Sequence, residues 1–287
     1  MNIPFSRCGL SDHALSYGKI CTVDQQERTL SMKKVTAFVG SARRKNTFHS
    51  VEQFLNNLQK LGDLEYEIVF LNRYNLGICR GCQVCINKGE AFCPLKDDRD
   101  LLLDKIQMSD GIIFATPNYT WNMSGIMKVF LDRFGFAIHR PRYFGKAFTS
   151  IVTQAMGHGD RIVEYFNYTA LTLGFNTLKG LAITGFDPKT VKQQKKIDRD
   201  LAILSQKFYN LLVKRTYPAP TWFQLLGFRM SRTMIMQTNP EKRDHQYFAE
   251  KGWFDSDYFY PTNLSAIKRA AGNLADKAAP LVRKIIA

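Results

Sequence analysis

Four of the chain's six cysteines crowd into fifteen residues, spaced Cys79-x2-Cys82-x2-Cys85-x7-Cys93-Pro94. Four thiolates this close in sequence suit a tetrahedral metal or an iron–sulfur cluster. A [4Fe–4S] cluster on Cys79, Cys82, Cys85 and Cys93 is the expectation. A cysteine-lined loop without metal and a zinc site are the alternatives. Cys8 and Cys21 stand apart and belong to no pattern.

Three further segments carry groups that bind small molecules. Gly40-Ser41-Ala42-Arg43-Arg44-Lys45-Asn46-Thr47 supplies hydroxyl, amide and guanidinium donors where a strand turns into a helix. The free N–H groups and positive dipole of a helix N-terminus attract an anion there. The segment is neither a GxGxxG fingerprint nor a P-loop, because the required glycines and the GK[ST] are missing. Ser41, Arg43, Asn46 and Thr47 are its candidate phosphate ligands; the alternative is a polar turn with an Asn or Thr cap. Residues 116–125, TPNYTWNMSG, put two aromatics and several backbone amides beyond the end of another strand. Such amides can bond the edge of a flat heterocycle, and the aromatics can shield its face; otherwise the aromatics simply pack on the sheet. Residues 153–159, TQAMGHG, have glycines that let backbone approach a ligand closely, or make a flexible loop.

Alternating strands and helices must position these loops. A buried-type strand with Val35, Ala37 and Phe38 spans 33–40, and Val51, Phe54, Leu55 and Leu58 mark a helix over 47–61. A strand at 66–71, the cysteine segment at 74–97 and a helix at 98–108 follow. The strand at 111–116 is apolar on both faces, as parallel strands are. Then come a helix at 123–138, a strand at 147–153, a helix at 160–173, a strand at 178–184 and a basic helix at 189–214. This order predicts an α/β doubly wound parallel sheet, which binds ligands beyond the carboxyl ends of its strands.

Residues 33–187 resemble the NADPH-dependent FMN reductase family of flavodoxin-like proteins. The resemblance rests on Gly40-Ser41-x-Arg43 with Asn46-Thr47, on Pro117-x-Tyr119 with Met123-Ser124-Gly125, and on Lys128-x-Phe130-Leu131-Asp132-Arg133. Lys45 stands where such proteins often have Gly ahead of Asn-Thr. The resemblance implies FMN with its phosphate on residues 41–47. It implies a flavin ring against Pro117, Asn118, Tyr119, Thr120, Trp121, Asn122 and Met123, and against the 154–159 loop with Gln154 and Gly157. It also implies NAD(P)H as an electron donor. The cysteine segment, followed by Asp97-Asp98, looks like that of iron–sulfur flavoproteins, a branch of the same family. That likeness implies a homo-oligomer, a dimer at least, in which a neighbouring subunit brings cluster and flavin together. No catalytic acid or base stands out. His49, His139, His158 and His245 show no partner pattern, and a flavin would supply the electron chemistry itself.

The composition is that of a globular chain, with 45% hydrophobic and 23% charged residues. No apolar run approaches the roughly 18 residues of a membrane span. The first twenty residues lack a basic start followed by an apolar block, which argues against a secretory signal and for a cytoplasmic protein. Met32 directly precedes the first strand, so residues 1–32 are expected to be either a start-site leader or an N-terminal arm. The net charge is +15, and residues 188–287 hold 18 Lys and Arg against 8 Asp and Glu, a net +10. Beyond Tyr217-Pro218-Ala219-Pro220 the chain is rich in aromatics and Arg and ends in a helix over 263–286. The domain plan is therefore 1–32, a flavodoxin-like FMN-binding domain at 33–187, and a basic, mainly helical extension at 188–287. Trp222, Phe223, Phe228, Arg229 and Arg232 suit a packed helical appendage, a lid or dimer arm, or an interfacial helix giving peripheral contact with an anionic membrane. No RNP or KH signature supports nucleic acid as a partner. The functional expectation is an FMN-dependent oxidoreductase passing electrons to a quinone, a redox protein or a small oxidised compound. The alternative is a non-catalytic FMN-binding electron-carrier module that docks to a redox partner or membrane surface.

Overall fold

The computed structural model describes residues 32–286, with side chains through 281. The leader or arm expected over 1–32, with Cys8 and Cys21, lies outside the described residues except for Met32.

The chain runs β1 (Lys33–Val39), α1 (Asn46–Gln59), β2 (Leu64–Phe70), the short α2 (Val84–Asn87), α3 (Arg99–Gln107), β3 (Gly111–Tyr119), β4 (Asn122–Met123), α4 (Gly125–Asp132), α5 (Gly135–His139), β5 (Ala147–Gln154), α6 (Gly159–Leu173), β6 (Asn176–Thr177), β7 (Leu181–Thr184) and α7 (Val191–Lys214). The sheet order is β2-β1-β3-β5-β6, with β7 also on β5 and β4 folded back on β3. All the pairs but β3–β4 are parallel. This is the expected doubly wound, flavodoxin-like order, and it sets the carboxyl ends of β1, β3 and β5 side by side.

Strand alternation divides the core into two layers. Val35, Ala37 and Val39 join Ile113, Ala115 and Ile151 beneath α1 and α7. Phe38, Ile112, Phe114, Phe148 and Val152 face the other way, toward α3, α4 and α6. Phe114 meets Phe38, Phe130, Phe148 and Phe166 edge-on at centroid distances of 5.0–5.9 Å, the geometry that ring quadrupoles favour. α7 begins in a capping box between Thr190 and Gln193. It buries Leu201, Leu204, Phe208 and Leu212 against the α1 layer.

Two elements differ from expectation. The single helix expected over 123–138 is two, α4 and α5. Its first residues are taken by β4, and the break falls at Arg133 and Phe134, where both side chains turn inward to buried positions. The fifth strand is interrupted between β6 and β7. Gly180 sits so close to the Ser150 carbonyl that no Cβ could fit there, while the Leu178 N–H still donates to the Phe148 carbonyl at 2.8 Å.

After α7 the chain forms α8 (Trp222–Met236), α9 (Arg243–Glu250) and α10 (Ala266–Ile286). Leu225, Phe228, Phe248, Trp253, Tyr258 and Leu264 make a third buried cluster, with Phe144 packed against it. Arg229 is buried between Asp257 at 2.5 Å and Asp276 at 2.6 Å, and Arg232 also reaches Asp276 at 2.7 Å. The helices beyond α7 thus form a packed group with a buried cluster of their own, whereas α7, also within the basic extension, belongs to the core layer of the sheet. Among the described residues no helix is long and apolar enough to cross a membrane.

Candidate functional site

A cleft of 670 Å3 opens where β1, β3, β5 and β7 end. Its floor is the first turn of α1. Among the described residues no side chain caps that turn and no acidic residue lies within it, so its N–H groups and dipole are open to an anion. Ser41 and Thr47 are buried there. The Thr47 and Thr153 hydroxyls share a hydrogen bond of 2.6 Å, which ties the α1 start to the end of β5. The Ser41 hydroxyl donates to the Arg43 carbonyl at 3.1 Å and closes the turn. Gly40 permits the close approach beneath it: a Cβ would stand 2.7 Å from Ser124 Oγ and 2.8 Å from Met127 Cβ. Ser124 Oγ instead donates to the Gly40 carbonyl at 2.6 Å, joining the β1 and β3 loops.

The opposite wall is Pro117, Asn118, Tyr119 and Gln154. Asn118 Nδ2 donates to Gln154 Oε1 and to the Gly157 carbonyl, both at 3.1 Å. Asn118 Oδ1 is buried and has no hydrogen-bond partner among the described residues. Arg43 Nη2 donates to the Tyr119 hydroxyl at 3.3 Å across the cleft mouth. Thr120 and Trp121 both have positive φ, 49° and 63°, in the two-residue turn between β3 and β4. That conformation is uncommon for a β-branched residue and marks a strained hairpin beside the cleft.

Of the residues the sequence pointed to, Ser41, Arg43, Asn46, Thr47, Pro117, Asn118, Tyr119 and Gln154 line the cleft together. Thr120, Trp121, Asn122, Met123 and Gly157 do not. Met123 is buried in the core, and Trp121 packs its ring on His158 at 4.9 Å. The Asn122 side chain turns back to accept from the Met123 N–H at 2.8 Å. The cleft also recruits residues the sequence did not flag. Asp187 accepts from Asn46 Nδ2 at 2.9 Å and pairs with Lys189 at 2.7 Å, and Lys189 donates to Asn46 Oδ1 at 2.7 Å. The Lys189 and Asn46 hydrogen bonds hold the Asp187 carboxyl below its usual range. These residues follow β7, and the rule that ligands bind at strand carboxyl ends would have found them there.

The cysteine segment forms a separate hollow of 120 Å3 lined by Cys79, Cys82, Cys85 and Cys93. The [4Fe–4S] cluster expected on these residues is not borne out. Among the described residues no group of three or more His, Cys, Asp and Glu is placed to hold a metal ion, which removes the zinc alternative as well. The four cysteines sit in unlike settings. Cys79 and Cys82 stand exposed on irregular chain bent by positive φ at Gly81 and Gln83, whereas Cys85 sits half-buried on α2. Cys93 follows a separate turn and lies 3.7 Å from Arg133 Nη2. Burial, with Cys93 and Cys79 beside it, pushes the Cys85 thiol up.

Ion pairs hold this segment in place. Arg133 and Asp97 form a buried pair, and Asp97 also accepts from the Gly77 N–H at 2.8 Å and the Arg99 N–H at 3.2 Å. Arg140 is wholly buried; it pairs with Asp244 of α9 and with Glu90 at 2.9 Å, and donates to the Cys85 carbonyl at 2.7 Å. Burial opposes the Glu90 charge, but the Arg142 hydrogen bond and the two guanidinium groups outweigh it and hold the carboxyl below its usual range.

The family profile described as NADPH-dependent FMN reductase matches residues 33–187. The chain is 35% identical over 127 residues to an iron–sulfur flavoprotein of Archaeoglobus fulgidus, covering 44% of this chain and 61% of that one. It is 28% identical over 198 residues to an iron–sulfur flavoprotein of Clostridioides difficile, covering 68% and 85%. The chain spans about 60% of the length of the two Archaeoglobus relatives with 35% identity. Among solved structures, RosB with a bound 8-demethyl-8-formylriboflavin-5'-phosphate intermediate aligns over 82% of this chain and 92% of its own, with a TM-score of 0.51 and 12% identity; this likeness is one of fold.

Proposed function

Because the chain belongs to the NADPH-dependent FMN reductase family, we propose that it is an FMN-dependent oxidoreductase with FMN in the cleft above β1, β3 and β5. The uncapped, acid-free first turn of α1 is the observation that carries the reading, since it is built to receive a phosphate monoester. The Ser41 and Thr47 hydroxyls, with the Asn46 amide, would complete the phosphate contacts. Asn118 Oδ1 fits as an acceptor for a ring N–H, because a buried acceptor without a partner costs about 1–3 kcal/mol and is relieved by a donor. Bound FMN supplies the capacity to take a hydride and give up electrons singly or in pairs.

The chain's own residues bind and orient. Gly40 and Ser124 fix the β1 and β3 loops against each other, and the Thr47–Thr153 bond fixes the β5 end. Arg43 and Lys45 at the rim attract a phosphate-bearing donor such as NADPH or NADH. Four free cysteines among the described residues favour a reducing compartment, so we place the protein in the cytoplasm. Steady-state assay tests the activity: FMN-loaded protein should oxidise NADPH or NADH when a quinone or ferricyanide is supplied. Protein that holds FMN yet oxidises neither nucleotide would contradict the enzymatic reading.

A further inference from the structure

α10 carries an apolar line that nothing among the described residues covers. Ile267, Leu274 and Leu281 are 73%, 69% and 63% exposed. They are seven residues apart, two helical turns each, so they stack along one side of the helix for about 21 Å. Ala270, also exposed, widens the line. The other side of α10 is made of small residues, Gly272, Ala275 and Ala279, buried by packing on α8. One helix face therefore serves the fold, and the large apolar side chains are left for something else.

The surroundings say what that is. Trp222 and Phe223, 48% and 61% exposed, open α8, and Lys268 of α10 lies over the Trp222 ring at 5.8 Å. Exposed Arg269 and Lys277 stand on the same helix. The one acid of α10 within the described side chains, Asp276, is taken up by Arg229, Arg232 and Thr233. The surface is thus apolar and cationic, with a Trp at its border, inside a segment of net charge +10. Two copies of such a segment repel each other, which argues against self-association through this face. A surface of negative charge with an apolar layer beneath attracts it.

We infer that α10, with the start of α8, docks on the surface of an anionic lipid bilayer. The helix lies in the interfacial plane with Ile267, Leu274 and Leu281 among the upper acyl chains and the Lys and Arg side chains at the headgroups. Trp222 takes the headgroup level where amphipathic rings settle. The sheet and its cleft stay in water, so the protein is held at a membrane without spanning it.

Co-sedimentation with vesicles tests this. Full-length protein is mixed with vesicles of phosphatidylcholine alone or of phosphatidylcholine with phosphatidylglycerol. The wild type should partition onto the anionic vesicles and stay in solution with the neutral ones. I267Q/L274Q should lower that partition about tenfold, because two exposed apolar side chains are lost without touching the core. K277E should lower it by about fivefold or more, and added salt should weaken binding of every form. Absence of binding to anionic vesicles, equal binding to neutral ones, or full binding by both variants would overturn the proposal. Sedimentation velocity provides the remaining arm: a wild-type dimer that I267Q/L274Q dissociates, with no vesicle binding by either, would assign the face to a second copy instead.

Discussion

Replacing Asp97 with Asn should destabilise the protein by about 3–5 kcal/mol, the cost of leaving a buried ion without its counter-charge. The side chains of Arg133 and Asp97 are 2% and 5% exposed. Arg133 has few other partners: it donates to the Gly77 carbonyl at 2.8 Å and approaches Cys93 Sγ at 3.7 Å. In a domain of this size the loss corresponds to roughly 10 °C in Tm. The double variant D97N/R133M should regain most of it, because a similar-sized apolar group needs no counter-charge. The pH dependence has a fixed sign. Burial opposes the Asp97 charge, but the Arg133 hydrogen bond and the Gly77 and Arg99 N–H groups outweigh it and hold the carboxyl below its usual range. The pair's contribution is therefore fully present above the ordinary Asp range near pH 4 and is lost as pH falls through the lower folded value. Urea unfolding at pH 7 and across the acid range measures both effects. A D97N midpoint equal to wild type, with the same acid limb, would refute the role assigned to the pair.

T47A should weaken FMN binding by about 1–2 kcal/mol, read by flavin fluorescence titration, since it removes a buried hydroxyl and strands that of Thr153. G180A should cost about 1–3 kcal/mol or more in urea unfolding, because the new Cβ meets the Ser150 carbonyl, which cannot move without breaking the sheet edge. D244N should cost about 1–3 kcal/mol and speed the reaction of Cys85 with a thiol reagent, because Arg140 loses one of its two carboxylate partners while still bonded to the Cys85 carbonyl.

The parallel sheet was legible because Val35, Ala37 and Phe38, and the GIIFAT strand, are apolar on both faces, which few other architectures allow. The first loop was legible because Ser41, Asn46 and Thr47 sit where a strand hands over to a helix. Asp187 and Lys189 were not, since Gly185-Phe186-Asp187-Pro188 reads as an ordinary turn and only its pairing with Asn46 brings it to the cleft. Trp121 lies outside the cleft lining, its ring on His158 in a hairpin of positive φ that its residue type does not announce. The cysteines misled because their spacing along the chain matches a cluster motif, whereas among the described residues they form no group placed to hold a metal ion. The network around Arg140 joins residues about a hundred positions apart, from Glu90 and Cys85 to Asp244, and no local pattern announces it. In the extension, an Arg-and-aromatic composition suited several outcomes, and only the burial of Phe228 and Arg229 beside the exposure of Ile267 and Leu274 separated core from surface.

The central claim is that the cleft at the α1 N-terminus is an FMN site, and titration of the purified protein with FMN and with riboflavin tests it most directly. FMN should bind one per chain and riboflavin should bind far more weakly, because the α1 turn, Ser41 and Thr47 contribute only when a phosphate is present. Equal affinity for the two, or no binding of FMN, would contradict the account.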